Sequence, residues 1–118
     1  MTLFFSEWIT LTPEAVESSL SDGPGLYEVK IDRKLVDYPM GRSAMVYYGR
    51  TTKEQPGLRK LVLDDWFSEA KMGVRRQWEV VGPLVFRWAG AADVDTEHAR
   101  RVRLFVERFG RTPWAIPE

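Results

Sequence analysis

The stretch VYYGRTT, Val46 to Thr52, sets two adjacent tyrosines before a glycine and an arginine. Two readings are open for it. The tyrosines are aromatic strand residues running into a turn, or one is a catalytic hydroxyl beside a phosphate site. Upstream, GLY at Gly25 to Tyr27 ends in another tyrosine. Downstream, Arg59 falls inside an apolar helical stripe, about 100° from Leu58 on the helical wheel and between Val62 and Leu63. An arginine there is unexpected unless it meets a partner or a ligand, or snorkels past the sheet. Glu97 stands near the start of a final helix rich in arginine. Tyrosine, arginine and glutamate together suit phosphodiester cleavage. That reaction needs a positioned water, a divalent metal to polarise the phosphate, and a cation for the developing charge. A tyrosine positions or deprotonates the water if neighbouring cations lower its pKa.

These residues need elements to hold them. Thr12-Pro13-Glu14 reads as an N-cap, a proline at the first helical position and an acid in the first turn, so a short helix is expected from about Pro13 to Leu20. SDGPG then starts a loop. LYEVKI alternates, with Tyr27, Val29 and Ile31 on one side and Glu28 and Lys30 on the other, the pattern of a half-buried strand. Asp32 to Ser43 reads as a long polar connection carrying Arg33, Lys34 and Arg42, and Ala44 to Arg50 as a second strand. A helix is expected over Glu54 to Ala70 from the stripe Leu58, Val62, Leu63, Trp66 and Ala70. Arg75 to Ala91 reads as β, broken by Gly82-Pro83 into two runs. Asp95 or Thr96 caps a last helix, with Ala99, Val102, Phe105, Val106 and Phe109 toward the core and Gly110 as its stop. Trp114 is expected to pack back on the body. The expected fold is therefore α+β, a small antiparallel β-sheet flanked by helices.

Composition narrows the class. The chain has 118 residues, 44% of them hydrophobic and 29% charged, as for one soluble domain. No apolar run reaches the roughly 20 residues that span a membrane. The start lacks a basic region and carries Glu7, which argues against a signal peptide and for a cytoplasmic location. With no cysteine and one histidine, His98, thiol catalysis, disulfides and zinc motifs are excluded. Net charge is zero, but residues 1–24 hold four acids and no Lys or Arg. Glu97 to Arg111 holds five arginines against two glutamates. That basic helix can meet a phosphate backbone, the protein's own acidic N-terminus, or solvent.

The phrases GLYEV, VYYGRTT and FVERFGRTPWAIPE, in this order on these elements, resemble the GIY-YIG nuclease superfamily over about Gly25 to Pro117. The chain then reads as a single domain, 1–118, with an N-terminal extension (1–24) before a GIY-YIG-like core (25–117). The resemblance implies a metal-dependent endonuclease acting on DNA or RNA, with Mg²⁺ or Mn²⁺ as cofactor. It makes Tyr27 and Tyr47 the motif tyrosines, Arg59 the functional arginine, Arg50 and Arg101 phosphate contacts, and Glu97 the metal ligand. Counting back from the FGR ending places His98 at the metal position instead, though Mg²⁺ prefers hard oxygen ligands. Glu97 also suits a plain role at the positive end of the helix dipole. The chain departs from the family pattern at three points. Leu61 stands where the arginine is usual, Ile116 stands where an asparagine is usual, and the Tyr27 to Tyr47 spacing is long. The alternative is a catalytically degenerate domain of this fold that binds nucleic acid or a protein partner, including a second copy of itself.

Overall fold

The computed structural model describes residues 4–51, 57–68, 72–91 and 93–116. The elements run β1 (Ile9–Thr10), α1 (Pro13–Ser19), β2 (Gly25–Ile31), β3 (Val36–Tyr38), β4 (Gly41–Ser43), β5 (Met45–Arg50), α2 (Leu58–Phe67), α3 (Met72–Glu79), β6 (Leu84–Gly90) and α4 (Val94–Phe109). A four-stranded sheet has the order β1-β6-β2-β5, and every pairing in it is antiparallel. The fold is α+β with an antiparallel sheet between helices. β2 lies in the middle. It pairs with β6 from Gly25↔Gly90 to Ile31↔Leu84 and with β5 from Leu26↔Arg50 to Lys30↔Met45, with a bulge at Val29/Lys30.

Strand alternation sorts the side chains into two faces. Tyr27, Val29 and Ile31 of β2 join Leu84 and Phe86 of β6 in the core. Val16 and Leu20 of α1 and Leu58, Leu61, Val62 and Trp66 of α2 cover them. The other face carries Glu28, Tyr48 and Arg87, which lie side by side in register across β5, β2 and β6. Helix α4 packs on that second face, with Phe105 against Tyr48 and Arg101 on Glu28. The N-terminal segment, residues 4–24, packs into this body. Its β1 pairs with β6 and its Leu11, Val16 and Leu20 belong to the core.

Local signals explain the helix ends. Thr12 accepts the Ala15 N–H at 3.1 Å and Pro13 opens α1, the cap its sequence predicts. Gly110 closes α4 in the left-handed region at φ 88° and donates to Val106 O at 2.8 Å, a conformation glycine adopts freely. The α4 cap is Asp93, whose side chain accepts the Thr96 N–H. The helix thus begins earlier than Asp95 or Thr96 would place it. The ends of the predicted Glu54 to Ala70 helix fall on 54–56 and 69–70, outside the described residues.

Three sequence expectations are corrected. The run before Gly82 is helix α3, not strand. Arg75, Arg76, Gln77 and Glu79 are good helix formers, and Arg75 reaches Glu79 one turn on at 3.3 Å. A short run is ambiguous between the two periods. The polar connection over Asp32 to Ser43 contains the β3–β4 hairpin. Its Tyr38 is buried against Phe105, Phe109 and Trp114 and donates to Met45 O at 2.7 Å. Helix α4 is also rotated from its expected face, although Phe105 and Phe109 do pack inward as expected. Ala99 and Val106 are exposed, and His98, Arg101 and Phe105 contact the strands. A buried carboxylate in the sheet outweighs two small apolar side chains. Trp114 does pack back, stacked on Tyr38 and donating from Nε1 to Asp37 O at 2.8 Å. No helix among the described residues is long and apolar enough to cross a membrane.

Candidate functional site: two faces of one sheet

Tyr27 is fully buried at the centre of β2. Its hydroxyl donates to Asp65 Oδ2 at 2.6 Å and accepts the Trp66 indole N–H at 3.1 Å. Tyr47 lies beside it, ring centroids 5.5 Å apart, and meets Trp66 edge-on at 5.5 Å. Strands β2 and β5 thus bring together the two tyrosines that the sequence singles out. Directly opposite Tyr27 is Gly49. A Cβ on Gly49 would stand 2.2 Å from the Tyr27 ring. The glycine is needed because the ring lies over it.

The electrostatics of this cluster oppose base catalysis. Burial pushes the Tyr27 hydroxyl well above its ordinary value, and the neighbouring Tyr47 and Asp65 push it further. Burial and Asp65 raise Tyr47 to about 12. A tyrosine that activates water at neutral pH needs a lowered pKa. Here a carboxylate stands beside the hydroxyls and disfavours tyrosinate.

Arg59 does not face the tyrosines. Its Nε donates to Leu20 O at 2.9 Å and its Nη1 pairs with Asp22 at 3.3 Å. It clamps the end of α1 and the loop after it onto α2. Leu61, at the position where the resemblance asks for an arginine, is buried in the core. Arg50 pairs with Asp95 at 3.1 Å.

The second face of the sheet carries the cations. Glu28 is 1% exposed. Its Oε2 accepts from Arg87 at 2.9 Å and its Oε1 from Arg101. Two arginines on one carboxylate leave a net positive cluster under α4. Phe5 covers both guanidiniums, at 4.4 Å from Arg87 and 4.7 Å from Arg101, and Trp8 lies 4.7 Å from Arg87. These distances suit cation–π attraction. Tyr48, pushed to about 12 by burial and Glu28, lies on this face too. His98 donates from Nε2 to Tyr48 O at 3.0 Å, and burial lowers its pKa. Glu97 is paired with Arg100 at 3.1 Å.

The sheet therefore separates the predicted constellation. Tyr27 and Tyr47 lie on the α2 face, while Glu97, His98 and Arg101 belong to the helix on the other. The metal ligand that the resemblance implies, Glu97, does not join the tyrosines. Glu97 lies across the sheet, and among the described residues no three His, Asp or Glu side chains gather to hold a metal ion.

The sequence reading missed Asp65, Trp66, Glu28 and Arg87 as partners. For Glu28 and Arg87 a signal existed, a charge at the middle of each of two predicted strands. Trp66 stood on the expected helical stripe, and Asp65 carried no signal.

Beside α4 opens a cavity of about 250 Å³, lined by Arg100, Arg101, Leu104, Phe105, Arg108, Phe109 and Tyr48. Arg101 Nε is buried without a hydrogen-bond partner. The arrangement can receive an anion with an apolar ring attached. Compared with family models, curated proteins and solved structures, the chain matches none.

Proposed function

We propose that the chain is a GIY-YIG-like domain that binds nucleic acid without cleaving it. One observation carries this reading: the tyrosine pair and the arginine-rich helix lie on opposite faces of the sheet. On one face, Tyr27 is spent on hydrogen bonds to Asp65 and Trp66 inside the core. On the other, α4 presents Arg100, Arg101, Arg103 and Arg108 along one helix, with Arg50 tied to its first turn through Asp95. Several of these cations are paired at exposed sites, where pairs are weak and phosphate can compete. Net neutrality predicts a modest, salt-sensitive affinity.

The test is a binding and cleavage series on the purified chain. Plasmid, single-stranded DNA and RNA are incubated with and without Mg²⁺ or Mn²⁺, beside Tyr27→Phe and Glu97→Ala. Binding is followed by fluorescence anisotropy against salt. Three or four contacted phosphates on a single strand give a log–log salt slope of about −2 to −3. The expected result is binding with intact strands, equal in wild type and Tyr27→Phe. Metal-dependent cleavage abolished by both substitutions would replace this reading with the nuclease. No binding at low salt would end it.

A further inference from the structure

The cavity beside α4 has a chemistry of its own. Its rim is Arg100, Arg101 and Arg108, and its wall is Leu104, Phe105, Phe109 and Tyr48. Arg100 and Arg108 are two turns apart, about 12 Å along the axis, with Leu104 between them. Arg108 rests 5.4 Å from the Phe109 ring, and among the described residues no carboxylate pairs with it. Arg101 is drawn to Glu28 by one terminal nitrogen, while its Nε is buried and unsatisfied. A buried donor without an acceptor is costly, but this nitrogen is closed to solvent, so a phosphate entering the cavity meets the exposed Arg108 first. Arg100 is held by Glu97 one turn away, an exposed pair that exchanges easily.

We infer that this cavity takes one nucleotide of a single-stranded nucleic acid, its phosphate on the guanidinium rim and its base against the apolar wall. The inference rests on the nucleic-acid reading above and narrows it. Size supports a single unit: about 250 Å³ lies just below the roughly 300–1,000 Å³ of pockets that enclose drug-sized ligands. Apart from the Tyr48 hydroxyl, the wall offers no acidic, amide or hydroxyl side chain to read a base edge. Binding is then sequence-tolerant and rests on charge and ring contact. A base inside a duplex cannot enter without being flipped out of its stack, which disfavours duplex binding.

Labelled oligonucleotides test this by fluorescence anisotropy on the full chain. The probes are oligo-dT, oligo-dA, oligo-rU and a DNA duplex. The variants are Arg108→Ala, Leu104→Glu and, as a charge control on α3, Arg76→Ala, each checked by thermal melting. Arg108 and Leu104 are exposed, so both variants should fold. The single strands should bind alike and about tenfold tighter than the duplex. Arg108→Ala and Leu104→Glu should each lose about tenfold, while Arg76→Ala should bind as wild type. Duplex bound as tightly as single strands would overturn the cavity assignment, as would pocket variants that bind normally. Nucleic-acid binding itself would survive either result. Failure of every probe to bind at low salt would remove both.

Discussion

Substituting Glu28 by glutamine tests the buried cluster beneath α4. The change keeps the side-chain volume, removes the charge between Arg87 and Arg101, and turns an amide donor toward one of them. Breaking a buried ion pair from one side costs roughly 3–5 kcal/mol, because the remaining charge is stranded. Two features of this site lower the figure. The Arg87 and Arg101 side chains are 28% and 23% exposed, so water screens part of the loss. Phe5, Trp8 and Tyr48 remain on the guanidiniums, each contact worth about 0.5–1 kcal/mol. The expected destabilisation is about 2–4 kcal/mol. For a domain of this length that lowers Tm by roughly 8–16 °C. It is a large share of a total stability of about 5–15 kcal/mol. Urea unfolding of wild type, Glu28→Gln, Arg101→Met and the double variant closes a thermodynamic cycle. The double variant should cost clearly less than the two single changes together. Glu28→Gln within about 0.5 kcal/mol of wild type, or strict additivity in the cycle, would refute the argument that this triad is a coupled buried unit.

Gly49→Ala would drive a methyl group into the Tyr27 ring, 2.2 Å away. Tyr27 is held at its hydroxyl and cannot retreat, so a loss of about 1–3 kcal/mol is expected in urea unfolding, and a neutral effect would contradict the packing described. Tyr27→Phe takes the acceptor from the Trp66 indole and should cost about 1–3 kcal/mol, read as a lower urea midpoint. His98 has a folded pKa below its ordinary 6.5 because burial disfavours the cation. Its contribution is therefore present above pH 6.5 and lost as pH falls through the lower folded value. His98→Asn should flatten this acid-side slope, and an unchanged slope would show that other groups set it. Tyr47 and Tyr48 are raised to about 12, so the native state holds their protons longer than the unfolded chain does. Stability should fall as pH rises past 10, and an absorbance titration should find these tyrosines un-ionised there. Ordinary titration near pH 10 would contradict their burial.

The sequence by itself determined the elements whose causes are local. Thr12 and Pro13 fix the start of α1, and Gly110 fixes the stop of α4. The alternation in β2 sets Tyr27 and Glu28 on opposite faces. The same alternation separates Tyr47 from Tyr48, and both pairs of assignments follow from the pleat of a strand. The α+β class followed from the order of these elements. The weakest local signal failed, and the run before Gly82 became α3 because its charged residues favour helix more than its period favours strand.

Only the tertiary structure decided the site. Nothing near Glu97 or Arg101 in sequence says which side of the sheet their helix will cover. That side is set by contacts distant in sequence, above all Arg101 on the buried Glu28. Nor does any spacing tell that Arg59 will find Leu20 O and Asp22, contacts made across 39 and 37 residues of chain. The two tyrosines of GLY and YYG do meet, as their strands require. Their partners are Asp65 and Trp66 in the core, while the cations gather on the other face.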